Sequence, residues 1–307
     1  MKKKILVTGG TGFLGRFLIP QLKKKYSVDV INSKSCNLFY ENSLKKYNKD
    51  QYKEIYHLAA WTQAGDFCLK FPGDQWLNNQ KINTNILNWW KNVQPNAKLI
   101  FMGTSCSYSD EVRLTEKNYL KNEPIESLYT YAMTKRMLLQ GAKALSRQYN
   151  LKWASVIPST LYGPYYHQDG RQMHFIFDLI RKILEGKNHN KPVVLWGNGY
   201  QKREIVYVED FVNSLLKNKN KINNDIVNFG SGKEYSIRQF AKMICKIVDF
   251  DYNKIIFDET KYVGAKSKIL EIDKIIKIDK NYKKRLTNIE IGLKKTIDWF
   301  SKIRKIK

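Results

Sequence analysis

Tyr131 and Lys135 stand four residues apart in the segment LYTYAMTK (128–135), and this spacing could serve proton transfer. Side chains four positions apart lie on one face of a helix. A lysine ammonium beside a phenol favours the phenolate, so we expect Lys135 to lower the pKa of Tyr131 towards neutrality and to prepare it as an acid. A half-buried helical tyrosine followed by a solvated lysine gives the same pattern. The rest of the chain must distinguish the two interpretations.

The segment VTGGTGFLG (7–15) carries Gly9, Gly12 and Gly15 in the spacing G-x-x-G-x-x-G, between an apolar run and a helical pattern. There the first glycine permits a tight turn, the second lets the backbone approach a pyrophosphate, and the third lets the helix pack close to the strand. The amino terminus of the helix adds unpaired N–H groups and a positive dipole. We therefore predict a dinucleotide site formed by Gly9, Gly10, Thr11, Gly12, Phe13, Leu14 and Gly15.

The end of the second predicted strand should decide which dinucleotide binds. A carboxylate there would bind the adenosine ribose 2′-OH and repel a 2′-phosphate. The residues that follow the strand are Asn32, Ser33 and Lys34, and the last two could hold a 2′-phosphate. The sequence thus favours NADPH over NADH, although Asp29 within the strand leaves NAD open.

The elements that must position these residues alternate between apolar runs and helical patterns, as in a parallel α/β sheet. We predict strands over 3–8, 28–32, 54–60, 97–105 and 152–159, and helices over 13–25, 75–93 and 127–149. A helix at 172–186, strands at 192–196 and 203–208 and three further helical segments follow. The predicted domains are a dinucleotide-binding domain (1–165, with about 203–230 returning to it) and a smaller, mainly substrate-binding domain (166–307).

Composition limits the classes of function. The chain has 307 residues, is 43% hydrophobic and carries a formal net charge of +26. Because the lysines are spread along the chain, we assign the charge to compositional bias and to an anionic small substrate, with nucleic acid as the less favoured partner. No apolar run reaches the roughly 18 residues of a membrane span. Four scattered cysteines indicate neither a disulfide framework nor a metal site, and a reducing cytoplasm fits.

Five motifs stand in the order found in the extended short-chain dehydrogenase/reductase family, which the chain resembles. They are TGGTGFLG (8–15), HLAA (57–60), GTSCSY (103–108), the Tyr131–Lys135 pair and PSTLYGP (158–164). Within the family the chain looks most like the GDP-L-fucose synthases, which epimerise and then reduce GDP-4-keto-6-deoxy-mannose. Its more specific marks are TSC (104–106), RQMHFIFDLIRK (171–182) and VVLWGNGYQKREIVYVED (193–210). The resemblance implies a Rossmann-type, doubly wound parallel sheet with a smaller C-terminal α/β domain that binds a nucleotide sugar.

The resemblance also implies roles for individual residues. Thr104 supplies a catalytic hydroxyl, Tyr131 gives a proton to the C4 oxygen, and Lys135 both lowers the pKa of Tyr131 and binds the nicotinamide ribose. Cys106 and His174 match the pair that inverts carbons beside the ketone. Such an inversion needs a base on one face and an acid on the other, and the reference pKa values of a thiol and an imidazole, about 8.5 and 6.5, bracket neutral pH.

Further positions of the family's binding sites can be carried over. The substrate would be bound by Ser105, Lys182, Trp196 and Arg203. The cofactor would also be contacted by Leu58, Ala59, Ala60, Pro158 and Leu161. Two segments depart from the pattern: AAWTQAG (59–65) is bulkier near the sugar, and KYVGAKSK (261–268) has Val263 where an acid is expected. The departures leave the sugar and the nucleotide open, and a 4-keto heptose remains an alternative.

Family members commonly form homodimers through the two long helices, here 75–93 and 127–149, where Trp89 and Trp90 could lie in the interface or in the core. Two rival functions remain. One is an NAD-dependent nucleotide-sugar 4-epimerase or 4,6-dehydratase, although TSCSY (104–108) lacks the Asp-Glu pair typical of a dehydratase. The other is a non-catalytic dinucleotide- or nucleic-acid-binding protein. The favoured interpretation is an NADPH-dependent C4 reductase of a GDP-linked 4-keto sugar, a 6-deoxy-hexose or a heptose, with C3/C5 epimerisation as a second step of the same site.

Overall fold

The structure is a computed structural model that describes residues 2–261 and 266–304. Val263, singled out above, lies outside these residues. Within them, no helix combines the length and apolarity needed to cross a bilayer.

A six-stranded parallel sheet in the order β10-β5-β4-β3-β1-β2 forms the centre of the molecule. Its inner strands are buried along nearly their whole length, which is typical of a parallel sheet covered by helices on both faces. Three pairs of short strands, β6 with β9, β7 with β12 and β8 with β11, lie outside it. The strands are β1 (Lys4–Thr8), β2 (Ser27–Ile31), β3 (Tyr52–His57), β4 (Lys98–Met102), β5 (Trp153–Pro158), β6 (Thr160–Tyr162), β7 (Val193–Trp196), β8 (Lys202–Arg203), β9 (Ile205–Tyr207), β10 (Asp225–Phe229), β11 (Tyr235–Ser236) and β12 (Ile255–Asp258).

The helices connect these strands and supply the apolar faces that cover the sheet. They are α1 (Phe13–Lys23), α2 (Phe67–Lys70), α3 (Pro72–Val93), α4 (Tyr129–Tyr149), α5 (Phe175–His189), α6 (Val208–Asn218), α7 (Ile237–Val248), α8 (Asp273–Ile278) and α9 (Ile289–Arg304). The long helices α3 and α4 pack closely, because Gly141 leaves room for the side chain of Leu87. Helices α4 and α5 end at Asn150 and Asn190 in the left-handed conformation, a common way to stop a helix.

The buried apolar residues form two clusters. The first surrounds the central sheet and includes Trp89 and Trp90 of α3, which are 6% and 0% exposed. These two tryptophans therefore belong to the core. The second cluster packs α5, α7 and α9 around Phe177, Phe240 and Phe300 and adjoins the short strands.

Two predictions about strands are corrected by the structure. The single strand predicted over 203–208 is divided into β8 and β9, and Val208 already begins α6. The division occurs at Glu204, whose buried carboxylate accepts hydrogen bonds from the backbone N–H groups of Gly232 and Leu270. The sixth strand of the sheet, β10, was not predicted. It pairs with β5 although some 66 residues separate them along the chain.

Candidate active site

The glycine loop lies at the carboxyl end of β1 and opens α1. Gly9 has a φ of +64°, and an added Cβ there would meet the backbone N of Ala59 at 2.7 Å. Gly12 is the amino-terminal cap of α1, and an added Cβ on Gly15 would overlap the carbonyl of Gly10. The loop thus approaches the backbone that follows β3 closely, and the space at Gly9 and Gly15 admits only glycine. This is the cradle that a dinucleotide pyrophosphate requires at a helix amino terminus.

Other predicted cofactor residues reach the same edge of the sheet. Leu58, Ala59 and Ala60 follow β3, and the backbone N–H of Ala59 donates to the Thr8 hydroxyl over 3.1 Å. Pro158 ends β5 and Leu161 lies in β6. The sheet therefore brings these residues to one side of the molecule, as parallel strands must.

His57, which the sequence analysis did not select, connects this edge with α4. Its ring nitrogens are hydrogen-bonded to the Thr8 hydroxyl, at 2.8 Å, and to the amide oxygen of Asn83, at 3.3 Å. Asn83 in turn donates to the carbonyl of Thr134, next to Lys135. Burial, and to a smaller extent the charge of Lys135, lower the pKa of His57 to about 3, so the ring is neutral. It holds the strand ends in place without carrying charge.

The turn after β2 has the features expected of a 2′-phosphate site. The side-chain oxygen of Asn32 accepts from the backbone N–H groups of Lys34 and Ser35, at 2.9 and 3.0 Å, which fixes a tight turn. Ser33 and Lys34 are exposed on it. Asp29 hydrogen-bonds Tyr52 and lies 3.7 Å from the Lys4 ammonium, near the starts of β1 and β3. Its carboxylate therefore faces away from the carboxyl edge where a ribose would lie.

Tyr131, Lys135 and Thr104 meet above the end of β4. The Thr104 hydroxyl is close enough to the Tyr131 phenol to lower its pKa. The Lys135 ammonium lies 5.8 Å from the centroid of the Tyr131 ring, as the four-residue spacing predicted. Thr104 caps the short helical turn 105–107, because its hydroxyl accepts from the backbone N–H of Cys106 over 3.2 Å. The three side chains thus have the geometry for passing a proton to a bound carbonyl.

The pKa of Tyr131 differs from the expectation. Burial raises it well above the usual value, and the nearby Cys106 adds to the rise, whereas the nearby Thr104 hydroxyl only partly offsets it. Burial also lowers the pKa of Lys135 to about 8, so this side chain is cationic at neutral pH. The prediction that Lys135 brings the Tyr131 pKa towards neutrality is therefore wrong for this structure. A phenol that stays protonated is nevertheless a suitable proton donor.

Cys106 and His174 are both close enough to Lys268 for its charge to affect their pKa values. Burial by itself would raise the pKa of Cys106, but the Lys268 charge, the Thr104 side chain and the Arg203 charge lower it overall. His174 is the amino-terminal cap residue of α5, and part of its side chain is exposed to solvent. Desolvation by the surrounding protein, followed by the electrostatic effects of His167 and Lys268, lowers the pKa of His174 to about 4. The surroundings therefore favour the thiolate of Cys106 more than they would for a free thiol, whereas His174 is a neutral imidazole at neutral pH.

The predicted substrate residues lie on α5, β7 and β8 and in the turn after β4. Lys182 of α5 lies 3.3 Å from Asp178 and 5.8 Å from the ring centroid of Trp196. Trp196 is 57% exposed on β7, so its ring is available for stacking. Arg203 ends β8 close enough to Cys106 for its charge to affect the thiol, and Ser105 precedes Cys106 in the turn. The structure thus places Lys182 beside Trp196 and Arg203 near Cys106.

The bulky segment 59–65 contributes to an aromatic cluster with α2 and the start of α3. Trp61 packs against Phe67 with ring centroids 4.7 Å apart, and Phe71 lies against both rings. The segment also lies close to the loop that carries His174, since Gly65 is next to the Gln172 side chain and the backbone N–H of the following residue, Asp66, donates to that side chain over 3.0 Å. The departure noted in the sequence therefore forms contacts with the loop before α5.

Comparisons with known proteins identify the family of the chain and several similar proteins. Residues 5–230 match the model of the NAD dependent epimerase/dehydratase family. The chain is 26% identical to GDP-L-fucose synthase of Escherichia coli (strain K12), over 97% of each chain. It is 28% identical to GDP-L-colitose synthase of Yersinia pseudotuberculosis, again over 97% of each. Among solved structures, a GDP-L-fucose synthetase from Naegleria fowleri bound to NADP matches with a TM-score of 0.85 and 27% identity, over 99% of this chain and 94% of that one.

Proposed function

The chain belongs to the NAD dependent epimerase/dehydratase family, and from that premise we propose that it is an NADPH-dependent reductase of the C4 ketone in a GDP-linked 4-keto sugar. The observation that carries the proposal is the set Thr104, Tyr131 and Lys135 at the carboxyl edge of the sheet, beside the glycine loop. A regulator without catalysis has no need of such a set.

The reduction requires a hydride at C4 and a proton at the C4 oxygen. Bound NADPH supplies the hydride. Tyr131 holds the proton, because its pKa is raised by burial, and gives it to the oxygen as negative charge develops there. The Thr104 hydroxyl, which lies close to the phenol, orients it, and the Lys135 ammonium stabilises the phenolate that remains.

We further propose that Cys106 and His174 invert one or both carbons beside the ketone before reduction. The C4 carbonyl acidifies the hydrogens at C3 and C5, and a thiolate at Cys106 can remove one of them. The acid on the opposite face would be His174. It must gain a proton first, because its pKa in the free protein is about 4. A bound diphosphate favours that proton, since nearby negative charge raises the pKa of an imidazole.

NADPH is the cofactor that the binding residues favour. The glycine cradle fits a pyrophosphate, and Ser33 and Lys34 stand on a fixed turn where a 2′-phosphate would lie. Asp29 is the residue that kept NAD as an alternative. Its carboxylate accepts a hydrogen bond from Tyr52 and lies beside the Lys4 ammonium, towards the other end of the sheet. The NADP bound to the Naegleria fowleri relative supports the same choice.

The nucleotide of the substrate is proposed to be GDP. Two relatives named for GDP-linked sugars, at 26% and 28% identity, support this. Lys182 and Arg203 provide cations for the diphosphate, and Trp196 provides a face for the base or the sugar. Because the segment that carries Trp61 departs from the family's pattern, the proposed sugar is either a 6-deoxy-hexose or a heptose.

The protein is proposed to act as a homodimer through α3 and α4. Leu77 on α3 and Met137 on α4 are apolar side chains that are 56% and 43% exposed to solvent. A contact between two copies of the chain would remove this apolar surface from water. We also propose that it works in the cytoplasm, which supplies NADPH and suits its four free thiols.

The proposal is tested by product analysis with GDP-4-keto-6-deoxy-mannose and NADPH in deuterated water. We expect a C4 alcohol whose C4 hydrogen comes from NADPH, with solvent deuterium at C3, C5 or both. Reduction without solvent deuterium would leave a C4 reductase and remove the epimerase step. Failure to oxidise NADPH, together with tightly held NAD in the purified protein, would favour a 4-epimerase or 4,6-dehydratase instead.

A further inference from the structure

Arg136 of α4 is a buried cation next to the active site. It follows Lys135 directly in the chain, and its side chain is only 7% exposed. Burying a charge is costly unless hydrogen bonds replace the water that the charge has lost. The guanidinium obtains these bonds from backbone carbonyl oxygens, those of Ser107, Lys121 and Asn122. Arg136 therefore joins its helix to two places in the preceding part of the chain.

The hydrogen bonds of Arg136 use the planar fork that is particular to arginine. Nε and Nη2 both donate to the carbonyl oxygen of Ser107, over 2.9 and 2.6 Å. Nη1 donates to the carbonyl oxygen of Asn122 over 2.6 Å, and Nη2 also to that of Lys121 over 3.0 Å. A guanidinium carries five N–H donors in a fixed geometry, whereas a lysine ammonium is a single point of charge. Only arginine can hold all three oxygens at once.

Ser107 is the last residue of the short helical turn 105–107, which Thr104 caps. It is completely buried, and its hydroxyl donates to the carbonyl oxygen of Ala132 in α4 over 3.1 Å. Together with the two bonds from the guanidinium, this contact ties the end of the turn to the helix that carries Tyr131. Thr104 and Tyr131 thus belong to separate segments that are joined at Ser107.

The start of the turn is held through the connection between the turn and α4. Tyr119 lies in this connection, is 1% exposed, and accepts a hydrogen bond from the backbone N–H of Thr104 over 3.2 Å. Asn122 lies a little further along and has a φ of +51°, a left-handed conformation that asparagine tolerates. Because Arg136 binds carbonyl oxygens at both Ser107 and Asn122, it fixes the connection against the turn.

We propose that Arg136 is a positioning residue that sets the place of Thr104 relative to Tyr131 for the reduction. The inference rests on the proposed function. Proton transfer to the C4 oxygen requires the turn and the helix to keep one relative position, and a misplacement of about 1 Å can cost about 10²-fold in rate. Arg136 touches neither the sugar nor the cofactor in this scheme and acts only through the turn and the connection.

The first experiment measures the reduction of GDP-4-keto-6-deoxy-mannose and the affinity for NADPH in the same variants. For Arg136→Met we expect kcat to fall about 10–100-fold, because the turn is no longer held in register with the helix. The dissociation constant of NADPH should stay within about twofold of the wild type, because the glycine loop is built by other elements. Such a split separates positioning from a general loss of structure.

Two further variants serve as rescue and control. Arg136→Lys keeps the cation but reaches fewer of the carbonyl oxygens, so we expect kcat to fall by only about three- to tenfold. Arg147→Met removes the same charge from an exposed position on the same helix and should keep the wild-type kcat. Equal losses in Arg136→Met and Arg147→Met would overturn the inference.

The second experiment measures the turn directly, without sugar or cofactor. The backbone N–H groups of Cys106 and Ser107 are bonded to the hydroxyl and the carbonyl oxygen of Thr104, over 3.2 and 3.1 Å. Hydrogen exchange followed by mass spectrometry should show about tenfold faster deuterium uptake by these amides in Arg136→Met, because local opening becomes easier. Uptake by the amides of β4 should match the wild type.

The two experiments distinguish failure of the inference from failure of the proposed function. If the wild type reduces no 4-keto sugar but uptake at the turn rises in Arg136→Met, the proposed function fails and the positioning of the turn stands. If the wild type reduces the sugar and Arg136→Met keeps the wild-type kcat, or loses kcat and NADPH affinity to the same degree, the inference is overturned.

Folding of each variant is checked by circular dichroism. If Arg136→Met does not fold, Arg136→Lys carries the same test, because it keeps a cation in the core. It must then lower kcat with NADPH affinity retained and speed uptake at the turn. Wild-type values of both kcat and uptake in Arg136→Lys would overturn the inference in that case.

Discussion

At the scale of single residues, the proton on Tyr131 is the feature on which the reduction depends. Tyr131→Phe removes the acid and keeps the ring. We expect the reduction rate to fall about 10²–10⁴-fold, the usual cost of losing one general acid, with NADPH affinity retained. Single-turnover NADPH oxidation and fluorescence titration of NADPH measure the two quantities. Tyr129→Phe, two residues away and partly exposed, is the matched control and should keep the wild-type rate of reduction. If Tyr131→Phe also reduced the substrate at the wild-type rate, Tyr131 would have no part in the mechanism.

Predictions from the sequence were more successful for contacts between side chains than for the charges of those side chains. The spacing of Tyr131 and Lys135 predicted their proximity, because helix geometry is local. The direction of the Tyr131 pKa shift was predicted wrongly, since burial by distant parts of the chain outweighs one neighbouring lysine. Lys268 could not be selected from spacing, because its charge affects Cys106 from far along the chain.

At the scale of elements, the buried carboxyl of Glu204 joins the β8–β9 junction to the segment 266–271. Burial raises its pKa from 4.5 to about 7, although bonds from Leu270, Gly232 and Ser231 oppose the rise. Between these values the folded protein binds more protons than the unfolded chain. The contribution of Glu204 to stability is therefore complete at low pH and is lost as the pH rises through the folded pKa.

Glu204→Gln makes this dependence measurable, because glutamine does not titrate. Between about pH 5 and pH 8 we expect the free energy of unfolding of the wild type to fall by about 2 kcal/mol relative to the variant. Urea unfolding is measured for both proteins, and the difference between their free energies of unfolding is followed against pH. The histidines do not contribute to this difference, because both proteins contain them. The exposed Glu209→Gln should run parallel to the wild type, and a Glu204→Gln curve that did so as well would refute the assignment.

The elements themselves were predictable where periodicity was strong and local. The first five strands of the sheet and the helices α1, α3 and α4 were predicted close to their observed positions. The strand predicted over 203–208 failed because alternation continues through Glu204 while the chain changes its partners there. β10 was missed because its pairing with β5 is decided by tertiary contacts rather than by its own short pattern. The division into domains stays a prediction, to which the two core clusters lend support.

At the scale of the whole molecule, the proposed homodimer requires the exposed faces of α3 and α4. Met137→Glu would introduce a charge into an apolar contact, so we expect it to convert a dimer into a monomer in sedimentation velocity. Ile291→Glu, at a site 54% exposed on α9, is the matched control and should remain dimeric. A wild-type protein that sediments as a monomer would contradict the proposal.

The position of β10 also has a consequence for how the protein is made. β5 ends at Pro158, but its neighbour begins at Asp225, after α5 and several short strands. While the polypeptide is being synthesised, β5 therefore remains an open edge until residue 229 has left the ribosome, and open edges invite pairing with other chains. A gene fragment that encodes only residues 1–165 would leave that edge exposed permanently. A fragment or fusion protein that carries the dinucleotide-binding half therefore also needs much of the segment that follows it, because that segment includes β10, the partner of β5.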